Sequence, residues 1–256
     1  MSEGRVIVVG AGPGAADLIT LRGARALAQA SVVLFDALTD PALRAHAPQA
    51  RWIDVGKRGF CPSESQARID ALLVSLAQQG HTVVRLKGGD PSVFGRLEEE
   101  LQALARAGVP AEVVPGVTAA LAAAAHTRRP LTRRGQGRSV SLTSAMQHTG
   151  ELQGGRHADT EVFYMAGRQL GALARQLRRH GWPDNTPVSV VSRAGWPDAL
   201  SSEHRLNTLA QASVLHAGRP TVVVVGAGAA STAHELDQAR RGCSATTIAE
   251  VQGHDA

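Results

Sequence analysis

Aromatic side chains make up only 3% of this sequence, and its 256 residues include only two cysteines. So few rings argue against an aromatic-packed β-sandwich, and the many alanines and glycines suit strands that alternate with helices at close backbone approach. Cys61 and Cys243 lie far apart and form no C-x-x-C, which excludes a disulfide framework and a cysteine zinc site. The ten histidines are scattered without H-E-x-x-H or any other ligand spacing, so no metal centre is expected. Long apolar runs are missing too. The first one, Val6 to Val9, is too short for a signal peptide core or a membrane span. The expectation is a cytoplasmic protein with no membrane partner.

Charge of one sign is also in short supply. The net charge is +5, from 27 Lys and Arg against 22 Asp and Glu. That is too mild to mark a nucleic-acid binder and compatible with an anionic small molecule where arginines gather, as at Arg128, Arg129, Arg133, Arg134 and Arg138. Such a run equally suits a solvated loop, because a basic cluster shows sign and not partner.

A hydrophobic content of 43% is that of a globular chain. Apolar runs at Arg5 to Val9, Ser31 to Phe35, Thr82 to Leu86 and Ala111 to Val114 predict strands, and helices are predicted over 18–30 and 97–107. A further helix is expected from Ser63, with Gln66 three residues on in capping-box spacing and Ile69, Leu72, Leu73 and Leu76 on one face. Pro115-Gly116 reads as a hinge, followed by an Ala-rich helix over 117–125. Strands are then expected near 139–143, 161–165, 188–191 and 221–225, with a helix over 169–180 stopped by Gly181. The alternation predicts an α/β protein with mainly parallel sheets. Two domains are expected, 1–115 and 116–228, followed by a mobile tail over 229–256.

Two glycine clusters follow predicted strands. Gly10-Ala11-Gly12-Pro13-Gly14-Ala15 satisfies G-x-G-x-x-A, and Asp36 ends the next strand where a dinucleotide fold places its ribose-binding acid. Two details count against a nicotinamide site. Pro13 removes a backbone donor from the turn that would cradle the pyrophosphate, and no helix starts directly after it. Gly88-Gly89-Asp90-Pro91 is the stronger signal. Adjacent glycines at the carboxyl end of a parallel strand let a ligand lie against the backbone, and Asp90 can accept from ribose hydroxyls or an amine.

At these residues the chain resembles the tetrapyrrole methylases, a group of S-adenosylmethionine enzymes, and within it the uroporphyrinogen III C-methyltransferases. The resemblance runs from about Val6 to Gly226. It rests on Val9 to Gly14, Leu18 to Leu21, Val33 to Asp36, Val55 to Arg58, Val84 to Arg96, Val114 to Ala120, Pro130 to Thr132 and Phe163 to Met165. It implies two α/β domains with the cofactor and substrate cleft between them, and a homodimer. It further implies that S-adenosylmethionine, leaving as S-adenosylhomocysteine, contacts Pro13, Gly88, Gly89, Asp90, Val93, Thr118, Ala119 and Met165. Ala194 stands in one more such place, where the relatives usually have glycine. Asp36 and Lys57 correspond to a proton-handling pair. The chain departs from the relatives' usual pattern at Gly59 to Pro62, Thr132 to Gly135, Ser144 to Met146 and Val191 to Arg193.

The activity implied is two methylations of uroporphyrinogen III, at C2 and C7, giving precorrin-2 for sirohaem and cobalamin. Attack of a pyrrole carbon on a sulfonium methyl mainly needs positioning, exclusion of water and a carboxylate that accepts a proton. The substrate's carboxylate side arms suit guanidinium forks, which makes Arg58, Arg96, Arg129 and Arg133 candidate substrate contacts. Other readings stay open: the same chemistry on another precorrin or on ribosomal RNA, a dehydrogenase with its dinucleotide at Gly10 to Gly14, or a binding protein without turnover.

Overall fold

The computed structural model describes residues 4–56, 66–145 and 155–231. The chain forms two compact units, the first made of Met1–Ala123, Val191–Leu200 and Gly218–Val222, the second of Ala124–Val190, Ser201–Ala217 and Val223–Ala256. The Pro115-Gly116 step thus lies inside the first unit. Gly116 is packed there against neighbouring backbone: a Cβ on it would sit 2.3 Å from the Gly89 carbonyl oxygen. Most of the expected tail, 232–256, lies outside the described residues, as does the Ser63 capping position.

The first unit holds a five-stranded sheet of β1 (Arg5–Gly10), β2 (Val32–Phe35), β3 (Arg51–Asp54), β4 (Thr82–Lys87) and β5 (Ala111–Val114), in the order β3-β2-β4-β1-β5. Every neighbouring pair is parallel. Both faces are covered, which is why β1, β2 and β4 read as near-continuous apolar runs. Val6, Val8, Val32, Leu34 and Val83 face one side with Leu73 of α2 (Gln66–Gln78) and Leu104 of α3 (Leu97–Arg106). Ile7, Val9, Val33, Val84 and Leu86 face the other side with Leu27 of α1 (Leu21–Ala28).

The helix predicted over 18–30 starts later than expected. Thr20 caps α1, its hydroxyl accepting from Gly23 N at 3.1 Å, and a 3-10 turn occupies Ala16–Leu18. β3 was not expected, because Arg51-Trp52-Ile53-Asp54 has too short an apolar core to stand out. α4 (Ala119–Thr127) follows β5.

The second sheet runs β6 (Val140–Ser144), β7 (Thr160–Tyr164), β10 (Thr221–Gly226), β8 (Pro187–Ser192) and β9 (Leu200–Arg205) in that order, with β6 and β7 parallel. α5 (Leu170–Arg179) buries Leu170, Leu173, Ala174 and Leu177, and Gly181 ends it at φ 83°. α6 (Ala212–Leu215) is a single turn. β9 escaped the sequence reading because Leu-Ser-Ser-Glu-His-Arg has no apolar alternation; it is the exposed edge of its sheet. No helix among the described residues is long and apolar enough to cross a membrane.

Candidate active site

The strand order bears first on the dinucleotide reading. In the doubly wound dinucleotide fold the first two strands are neighbours, whereas β4 here separates β1 from β2. The Gly10 to Gly14 turn also leads into a 3-10 turn and not into a helix N-terminus, so no row of helical N–H groups faces it. Asp36 is bound to a guanidinium. Nothing of the pyrophosphate cradle is present among these residues.

What the turn does is cross the ends of β1, β4 and β5. Gly12 and Gly89 form an antiparallel bridge, Gly89 N donating to Gly12 O at 2.7 Å and Gly12 N to Gly89 O at 3.3 Å. Ala11 N donates to Lys87 O at 2.8 Å, and Ala15 N donates to Gly195 O at 2.7 Å. Side chains are excluded by contact. A Cβ on Gly10 would lie 2.6 Å from Gly116 N, and one on Gly14 would lie 2.6 Å from Trp196 Cδ1. Gly89 differs. Its φ of 72° suits glycine, yet its Cβ direction meets only Thr118 Cα at 4.0 Å, so it borders open space.

Asp90 closes the crossing. Its Oδ1 accepts from Ser92 N at 2.8 Å and its Oδ2 from Gly116 N at 2.9 Å, which ties the β4 turn to the β5 turn. Each carboxylate oxygen keeps further acceptor capacity. Pro13, the Gly88-Gly89-Asp90 turn, Thr118 and Ala119 ahead of or at the start of α4, and buried Ala194 all belong to the first unit.

A cavity of about 580 Å³ opens beside the crossing, on the α2 and α3 side of the sheet, lined among others by Asp36, Gln66, Arg85, Lys87, Val93 and Arg96. Strand alternation explains its charge. Val83, Arg85 and Lys87 share a face of β4, and Asp36 follows Leu34 on the corresponding face of β2. The apolar stripe therefore turns charged at the carboxyl end of the strands. Arg85 Nη2 donates to Asp36 Oδ1 at 2.7 Å, and Arg85 Nε donates to Glu100 Oε1 at 3.0 Å. Lys87 Nζ reaches the same Glu100 oxygen at 2.8 Å.

Glu100 is wholly buried in α3, one turn before Leu104, while Asp36 is about a third exposed (31%) at the cavity rim. Burial works against the Arg85 guanidinium, but Asp36 and Glu100 outweigh it and leave its pKa raised. Burial, and then the Arg85 charge, lower the Lys87 pKa despite Glu100. Sequence reading missed Arg85, Lys87 and Glu100. The available signal was two cations at i and i+2 inside an otherwise apolar strand.

Between cavity and helix the chain is strained: Phe94 and Arg96 hold φ values of 53° and 55° without being glycine. Arg96 grips Glu99 with two bonds of 2.8 and 2.6 Å, and that hydrogen bonding raises its pKa.

Three further candidates belong to the second unit. Met165 belongs to the second unit, half exposed at the end of β7 with φ 58°. Arg129 and Arg133, also in that unit, are buried and have internal partners: Arg129 Nη1 donates to Ala229 O at 3.0 Å, and Arg133 donates to Ala230 O. Arg129 also pairs with Glu203. Lys57 and Arg58 lie outside the described residues. Among the described residues no group of His, Cys, Asp or Glu is arranged to hold a metal.

Comparison with known proteins adds four findings. Residues 5–210 match the family model of the tetrapyrrole (corrin/porphyrin) methylases. A uroporphyrinogen-III C-methyltransferase of Pseudomonas aeruginosa is 40% identical over 235 residues, covering 88% of this chain and 94% of that protein. Siroheme synthase 2 of Yersinia pestis is 44% identical over 87% of this chain but only 48% of its own length, so the chain spans about half of that relative. The crystal structure of uroporphyrin-III C-methyl transferase from Thermus thermophilus, complexed with S-adenosyl homocysteine, superposes with a TM-score of 0.76 at 38% identity, over 87% of this chain and 97% of that one.

Proposed function

The chain belongs to the tetrapyrrole (corrin/porphyrin) methylases, and on that premise we propose that it methylates uroporphyrinogen III twice, at C2 and C7, with S-adenosylmethionine as donor. The product is precorrin-2, the precursor of sirohaem and cobalamin, made in the cytoplasm by a homodimer. The observation that carries the reading is the pairing of two features at the same strand ends. One is a crossing lined by backbone, and the other is a cavity with a carboxylate at its rim and cations in its wall.

The crossing fits the donor. Gly89 offers bare backbone towards open space, Asp90 has acceptor capacity left, and Pro13, Val93, Thr118, Ala119 and Ala194 belong to the same unit. When bound, S-adenosylmethionine supplies a methyl group on a sulfonium, ready for in-line attack by a nucleophilic carbon. Every other task falls to the protein. The crossing holds the donor's methyl-bearing end, the cavity excludes water from the ring, and Asp36 accepts the proton that each C-methylation releases. Lys57, the other member of the pair, is assigned to hold a substrate carboxylate beside Asp36, and Arg96 at the rim meets another side arm.

The test is anaerobic incubation with S-adenosylmethionine and uroporphyrinogen III, followed by mass spectrometry. The reading predicts a gain of two methyl groups through a singly methylated intermediate. Methyl transfer to another precorrin, or to ribosomal RNA, with none to uroporphyrinogen III would overturn the substrate assignment.

A further inference from the structure

β4 lies inside a parallel sheet covered on both faces, where apolar residues are the rule, yet Arg85 and Lys87 stand there with side chains 3% and 4% exposed. Both point to Glu100, which a helix face aimed at an apolar core would ordinarily give to a hydrophobic residue. All described strong bonds of Glu100 converge on Oε1: Arg85 Nε at 3.0 Å and Lys87 Nζ at 2.8 Å, with Gln66 Nε2 distant at 3.5 Å. Oε2 is buried without a hydrogen-bond partner among the described residues. Taking such groups out of water is costly, and well-packed apolar residues of similar volume are often as stable or more so. A purely architectural need would not select this arrangement.

The geometry gives the group one direction. Arg85 is a planar fork whose Nε faces inwards to Glu100 and whose Nη2 faces outwards to Asp36 Oδ1 at 2.7 Å. With Nε bonded to a fully buried carboxylate, the guanidinium plane is set, and so is the direction in which Nη2 offers its proton. Asp36 is then held at the rim by a partner that cannot swing. Its Oδ2 remains for the cavity, and the backbone turn behind it is closed by Thr39, whose Oγ1 donates to Asp36 O at 2.8 Å. Lys87 supplies the second charge on Glu100, so the four side chains Asp36, Arg85, Glu100 and Lys87 are neutral as a set.

We propose that Glu100 and Arg85 are positioning residues, a buried carboxylate–guanidinium strut that aims Asp36 into the cavity for proton acceptance. The inference rests on the methyltransferase reading for its chemistry, but the strut itself is a physical coupling that unfolding can read without turnover.

The experiment is a double-mutant cycle between Glu100→Gln and Asp36→Asn in the full chain, followed by methyl-transfer kinetics and by urea unfolding. Glu100→Gln alone is expected to lower kcat about tenfold or more, with KM for the tetrapyrrole and S-adenosylhomocysteine affinity within twofold. The double variant is expected to be no slower than Asp36→Asn alone, and its unfolding loss is expected to fall short of the sum of the two single losses. Arg85→Lys, which cannot fork between two carboxylates, gives the same cycle should Glu100→Gln not fold. Additive kinetic effects, or unchanged kcat in a folded Glu100→Gln enzyme, overturn the strut. Absence of methyl transfer in the unaltered protein instead strikes the functional reading. Additive unfolding losses would then reject the strut on their own.

Discussion

β4 ends in two regions built by opposite means. Beyond Lys87 the chain works with backbone. Gly89 meets Gly12, Gly10 and Gly116 through backbone, at distances that leave no room for a side chain on Gly10 or Gly116, while the direction above Gly89 itself is open. One residue earlier, on the face turned to α2 and α3, it works with charge, as Arg85 and Lys87 converge on Glu100 and Arg85 also reaches Asp36. A backbone-lined site tolerates little change in shape but is indifferent to charge. A charged site tolerates isosteric change but depends on every partner. Substitutions should therefore fail differently in the two regions.

The largest effect is expected at the crossing. In Gly116→Ala the new methyl would fall 2.3 Å from Gly89 O and 2.8 Å from Gly10 Cα, backbone atoms that cannot rotate away. Overpacking of this kind costs about 1–3 kcal/mol, and the forced shift should also reduce S-adenosylhomocysteine affinity. Denaturant unfolding and calorimetry read both. A Gly116→Ala protein with unchanged stability and affinity would show that the crossing is looser than described.

A smaller effect, and no catalytic one, is expected at Arg129. Its guanidinium holds the Ala229 carbonyl and pairs with Glu203, which is 71% exposed and contributes little. Arg129→Met should cost about 1–2 kcal/mol of stability, mostly for the carbonyl left behind, with KM for the tetrapyrrole within about twofold. A large rise in KM in a folded Arg129→Met enzyme would restore it as a substrate contact.

The two regions also differ in how far the sequence shows them. Gly88-Gly89-Asp90 and Gly10 to Gly14 stand out because a backbone site must be written in glycine, and the parallel α/β order follows from apolar runs that alternate with helical periods. The charged strut leaves only a faint trace. Arg85 and Lys87 are two cations in a strand, and their partner Glu100 comes from a helix whose neighbours Glu98 and Glu99 look the same in sequence. Which of three glutamates turns inwards is decided by the register of α3 on the sheet, with Glu100 a turn ahead of buried Leu104. Arg129 and Arg133 show the same limit, since a basic run does not reveal which of its members will be buried beside carbonyls. β9 was lost because an exposed edge strand needs no apolar face.

The central claim is that the crossing holds the donor while the charged cavity handles the proton, and one paired measurement tests it most directly. S-adenosylhomocysteine affinity by calorimetry and kcat for methyl transfer are determined for Gly89→Val and Asp36→Asn beside the unaltered protein. Valine projects into the open direction at Gly89, so Gly89→Val should lose affinity; its strain at φ 72° also lowers stability, so affinity is read on protein that calorimetric unfolding shows to be folded. Asp36→Asn should bind normally and turn over at least about tenfold more slowly. Unchanged affinity in a folded Gly89→Val protein, or full turnover in Asp36→Asn at saturating substrate, would contradict the account.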